Sequence, residues 1–68
     1  MTKDEQAKAG RITLRLHVSG ANIAGNQGAR GNGMAIRMPD GQTHLIEDDE
    51  TKLSRLIAIA DQAGISTE

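Results

Sequence analysis

The chain has no cysteine, no phenylalanine, tyrosine or tryptophan, and one proline in 68 residues. Without cysteine there is no disulfide framework and no thiol chemistry. Without aromatics there is no stacking platform for single-stranded nucleic acid, where each stacked base contributes about 1–3 kcal/mol. The Tyr and Trp anchors that dominate many protein interfaces are missing too. No apolar run approaches the roughly 20 residues of a membrane span, and the opening MTKDEQAK is followed by no hydrophobic signal core. Neither sign of charge dominates: eight Lys and Arg stand against nine Asp and Glu, for a net charge of −1. Bulk attraction to nucleic acid or an anionic bilayer is therefore absent. These absences lead us to expect one small cytoplasmic domain, with nucleic acid disfavoured as a partner and no membrane partner.

What the chain does have is a set of aliphatic residues for a core. They are Ile12, Leu14, Leu16, Val18, Met34, Ile36, Met38, Leu45, Ile46, Leu53, Leu56, Ile57, Ile59 and Ile65. Domains this small, held by neither disulfide nor metal, often rely on self-association, so a homo-oligomer is expected.

Periodicity gives a β-loop-β-β-α order. Residues 1–10 are polar and lack a clear period. A short helix over Asp4–Ala9 would be stopped by Gly10, and a flexible tail is the simpler reading. From Arg11 to Val18 apolar and polar residues alternate strictly, which predicts a strand with Ile12, Leu14, Leu16 and Val18 on one face and Thr13, Arg15 and His17 on the other. Ser19 to Gly33 holds most of the eight glycines and reads as a long loop, either functional or disordered. Pro39-Asp40-Gly41 predicts a hairpin turn. A two-residue loop would pair Arg37 with Gln42 and Ala35 with His44. A three-residue loop with a bulge at Gly41 would pair Ile36 with His44. The first separates polar from apolar residues better and is preferred. A helix should follow, capped by Asp48 or Asp49, with Leu53, Leu56, Ile57 and Ala60 inward and Gly64 ending it near Ala63. Ile59 widens that stripe, either as an oligomer seam or as a cover for the sheet edge. The expected fold is thus α+β over residues 11–65, a three-stranded, mainly antiparallel sheet with one helix on one face.

In that arrangement the sheet face away from the helix displays Arg15, His17, Arg37 and His44, beside Thr13 and Gln42. Arginine's planar fork suits phosphate or carboxylate, and histidine adds donors. Arg30 and the backbone around Gly25, Gly28 and Gly31 would close over the same surface. The expected ligand is an anionic small molecule, a nucleotide or a nucleotide-derived signal, that is sensed or sequestered and not transformed. The same arginines offer an alternative, an inhibitor or adaptor that binds an acidic protein surface.

Other chemistries fit less well. Gly20 and Gly25 have the spacing of a nucleotide-hydrolase phosphate loop, but Asn26 and Gln27 stand where Lys and Ser or Thr are required. Gly31-Asn32-Gly33 lacks the third glycine of a dinucleotide fingerprint, and a strand follows it. His44, Glu47, Asp48, Asp49 and Glu50 match no metal-loop spacing, and helix capping accounts for the acids. Ser19 and Ser54 have no recognisable base. Neither a cofactor nor catalysis is implied.

Overall fold

The computed structural model describes residues 2–27 and 33–68. Two helices and a three-stranded antiparallel sheet make an α+β fold, in the order α1 (Lys3–Val18), β1 (Asn22–Gln27), β2 (Gly33–Arg37), β3 (Thr43–Ile46) and α2 (Lys52–Gln62).

The first element departs from expectation. Residues 3–18 form one helix where a tail and a strand were expected. Its start is fixed by a capping box: the Glu5 N–H donates to the Thr2 hydroxyl at 3.1 Å, and the Thr2 N–H donates to the Glu5 carboxylate at 3.0 Å. The residues it buries are Ala9, Ile12 and Leu16, a helical spacing. Leu14 and Val18, which completed the apparent alternation, point away from the core and are 60% and 77% exposed. Gly10 does not stop the helix, because an exposed helical glycine lowers stability without forbidding the conformation.

α1 ends in a Schellman motif. Gly20 takes φ 106°, its N–H donates to the His17 carbonyl, and the Ala21 N–H donates to Leu16, both at 3.0 Å. The chain then enters β1, drawn from the stretch expected to be loop. β1 pairs with β2, with Asn22 opposite Arg37, Ile23 opposite Ile36 and Ala24 opposite Ala35, and a register shift falls between Gly25 and Gln27. Asn and Gly are poor strand formers, so pairing to the central strand β2 decides this segment's conformation.

The hairpin forms as predicted, in the register not preferred. Arg37 stands opposite Thr43 and Ile36 opposite His44. The Gly41 N–H closes the turn onto the Met38 carbonyl at 2.9 Å, and Gly41 itself lies at φ 94°. A type I turn followed by a left-handed residue needs the three-residue loop. The shift of register changes which residues face the core. Ile23, Met34, Ile36, His44 and Ile46 share the inner face, while Asn22, Ala24, Ala35, Arg37, Thr43 and Leu45 share the outer one.

Both helices cover the inner face. The core joins Ala9, Ile12 and Leu16 of α1, Ile36 and Ile46 of the sheet, and Leu56, Ile59 and Ala60 of α2, with Ala21 and Met38 between elements. Ile59 is buried within it, so it covers the core and cannot serve as a subunit seam. α2 starts later than expected, after Thr51. Asp48 does not cap it directly; its carboxylate accepts from the Thr51 N–H and hydroxyl, both at 2.9 Å. Gly64, at φ 73°, ends the helix as anticipated.

Candidate anion-binding site

The new register and the helical Arg11–Val18 segment redistribute the cationic residues. Arg15 and His17 lie in the last turn of α1, both exposed. Arg37 ends β2 on the outer face of the sheet. His44 is half-buried on the inner face, toward α2. Gly25 lies in β1 opposite Met34. Gly28, Arg30 and Gly31 lie outside the described residues. The expected convergence of Arg15, His17, Arg37 and His44 on one sheet face therefore does not occur, because two of them belong to a helix and His44 faces the other way.

One pair does come together. His17 and Arg37 line a solvent-open depression of about 440 Å³, with Asn22, Ile23, Ala24, Ala35 and Thr43. The local reasons are clear. The Schellman turn at Gly20 reverses the chain and brings the end of α1 beside the start of β1. The sheet register then sets Asn22, Arg37 and Thr43 in one row across all three strands. The next row on that face is Ala24, Ala35 and Leu45, about 7 Å further along the strands. A row of hydrogen-bonding groups thus borders an apolar row of two alanines and a leucine. No carboxylate lines the depression. Arg37 offers a planar fork of donors, Asn22 an amide, Thr43 a hydroxyl and His17 an imidazole.

His44 belongs to a second, smaller depression of about 270 Å³, lined also by Arg55, Ala58, Ile59 and Gln62. Arg15 lines neither depression. Among the described residues, no group of three His, Asp or Glu side chains is placed to hold a metal ion. Among the described residues, no polar or charged side chain is buried. Among the described residues, no helix is long and apolar enough to cross a membrane.

Sequence reasoning missed Asn22, Thr43, Arg55 and Gln62. The first two were recoverable: the three-residue loop at Pro39-Asp40-Gly41 puts Thr43 opposite Arg37, and reading Gly20 as a helix end puts Asn22 at the start of a new element.

Fold and surface together define a two-layer α+β domain in which, among the described residues, no element covers one sheet face and no carboxylate lines the cationic depression at its end. No family model matches the chain, and neither a curated protein nor a solved structure does.

Proposed function

We propose that this protein is a small non-catalytic binding module for an anionic small molecule, a nucleotide or nucleotide-derived signal, which it sequesters or senses. The observation that carries the reading is the meeting of His17 and Arg37, 20 residues apart in sequence and from different elements, in one depression without an opposing acid. A phosphate would sit against the Asn22–Arg37–Thr43 row, where the guanidinium fork can engage two oxygens at once. The flat face of a base would lie on the Ala24–Ala35 row, and the volume falls within the range of small-molecule sites.

The test is thermal unfolding with inorganic phosphate and a panel of nucleoside mono-, di- and triphosphates. A ligand at ~100 times its dissociation constant adds ~2.7 kcal/mol, which raises Tm by roughly 10 °C or more in a domain of this size. Arg37→Ala should abolish the shift, while Arg55→Ala, which lies at the other depression, should leave it. A flat response to the whole panel at millimolar concentration refutes the reading.

Leu45, 43% exposed on the same bare face, favours one alternative, an inhibitor or adaptor that sets these arginines against an acidic protein surface. In that case Arg37→Ala releases a bound protein in pull-down, and nucleotides leave Tm unchanged.

A further inference from the structure

Six of the seven residues lining the His17–Arg37 depression come from a part of the chain without acids. The sequence from 6 to 39 holds five of the eight Lys and Arg and no Asp or Glu. β1, β2 and the segment joining them therefore have no carboxylate to place beside a bound anion. Asp40, the acid nearest Arg37 in sequence, sits in the hairpin tip, where its carboxylate accepts from the Gln42 N–H at 2.9 Å. It lines other depressions and not this one. Mg²⁺ that arrives with a nucleotide is held by one or two protein carboxylates besides the phosphates. The donor set here is the reverse: N–H and O–H groups, which meet bare phosphate oxygens.

Those donors suffice for one phosphate group. Arg37 presents two N–H groups in its planar fork. The Asn22 amide, the Thr43 hydroxyl and the His17 imidazole each add a donor. A phosphate monoester has three terminal oxygens to receive them and carries about −1.5 to −2 at neutral pH. Arg37 is the one permanently charged residue lining the depression. A second or third phosphate would bring more charge, with no further Lys or Arg lining the depression to meet it.

Spacing points the same way. The alanine row, where a base would lie, is about 7 Å from the polar row along the strands. A nucleoside monophosphate spans that step with its ribose alone. A triphosphate does not keep both ends in place. With its outermost phosphate on the polar row, the base overshoots the alanines. With its innermost phosphate there, the others run past the row, and the innermost one has only two unbridged oxygens and a single charge for the donors. Resting on the nucleotide reading of this site, we infer that its ligand class is the nucleoside monophosphate, bound through a metal-free terminal phosphate.

Calorimetric titration of the full chain tests this. The probes are a nucleoside 5′-monophosphate, its triphosphate and inorganic phosphate, first in EDTA and then with about 5 mM Mg²⁺. The monophosphate should bind roughly five-fold tighter than the triphosphate, and Mg²⁺ should tighten neither. Inorganic phosphate should bind more weakly than the monophosphate, having no base for the alanine row. Asn22→Ala and Thr43→Val, both at exposed positions, should each weaken the monophosphate about three-fold or more. Neither should lower the unfolding midpoint of the free chain by more than a few degrees. A triphosphate that binds as tightly as the monophosphate, or tighter, overturns this inference alone. So does tightening by Mg²⁺, inorganic phosphate that matches the monophosphate, or full monophosphate affinity in both variants. If no probe binds with or without Mg²⁺, the nucleotide reading itself is overturned, and this inference falls with it.

Discussion

The two helices end alike and begin differently. At the end of α1 the Leu16 and His17 carbonyls accept from Ala21 and Gly20; at the end of α2 the Ala60 and Asp61 carbonyls accept from Ile65 and Gly64. Each helix buries three side chains in the common core. The start of α1 is closed by its own side chains, whereas Thr51 makes no side-chain cap for α2 and is tied back to Asp48 instead. Their outer faces differ more. α2 shows solvent Ser54, Arg55, Ala58, Asp61 and Gln62, an ordinary wet face, while α1 shows Leu14 and Val18. α2 spends its large apolar residues inward. α1 divides them, and its outer pair lies outside the core formed by the described residues.

The largest test of that division is truncation on either side of α1. Leu16 and Leu56 are fully buried, so Leu16→Ala and Leu56→Ala should each cost about 2–5 kcal/mol in urea unfolding at low micromolar protein. Leu14→Ala should stay within roughly 0.5 kcal/mol of wild type. Equal losses at Leu14 and Leu16 would mean that α1 has no outer face in the sense drawn here.

The shared helix ending can be sharpened next. Gly20 and Gly64 both have positive φ, where a side chain costs roughly 1–2 kcal/mol. A Cβ at Gly20 would also stand 3.2 Å from the Pro39 side chain, and one at Gly64 would meet nothing within 4 Å. Gly20→Ala should therefore destabilise more than Gly64→Ala, by chemical denaturation. The reverse order would remove the contact between the end of α1 and the hairpin tip, which helps hold His17 near Arg37.

The same comparison explains what the sequence made legible. α2 was readable because Leu53, Leu56, Ile57 and Ala60 keep one helical period and Gly64 ends it. α1 was not, because Leu14 and Val18 fall by chance into step with Ile12 and Leu16 and imitate a strand. A local signal spoke against that reading: Thr2 and Glu5 have capping-box spacing, and Ala9, Ile12 and Leu16 continue from it. β1 was hidden for another reason. Ile23 is its sole large apolar residue, and its conformation comes from pairing with β2. The turn at Pro39-Asp40-Gly41 was plain, but polarity alone chose the wrong register, because His44 is tolerated on the inner face at its half-buried rim. Of the site, Arg37 was readable as an exposed strand residue. Its neighbours Asn22 and Thr43 depend on that register, and the approach of His17 depends on α1 being a helix.

The smallest effect lies in acid, and it separates the two helix starts. Donation from the Thr2 N–H, then its hydroxyl, holds the Glu5 carboxyl below its ordinary value of 4.5. The Thr51 N–H and hydroxyl do the same for Asp48, below 3.8. A carboxyl whose folded pKa is depressed adds stability that is whole above its unfolded pKa and fades as pH falls through the folded one. Both contributions are therefore intact at neutral pH. The Glu5 contribution fades as pH drops below about 4.5 and the Asp48 contribution as it drops below about 3.8, each being lost through its own lowered folded pKa. The amide signals of Thr2 and Glu5 should shift with the carboxyl titration of Glu5, followed by NMR from pH 6 to 2. Thr2→Ala, which removes the hydroxyl and keeps the backbone N–H, should raise that titration toward 4.5 and lower stability at neutral pH by roughly 1 kcal/mol, while leaving the Asp48 titration unmoved. A Glu5 carboxyl that already titrates at 4.5 in the wild-type chain would mean that the capping box does not form in solution, and the start of α1 would then lean on the core as α2 does.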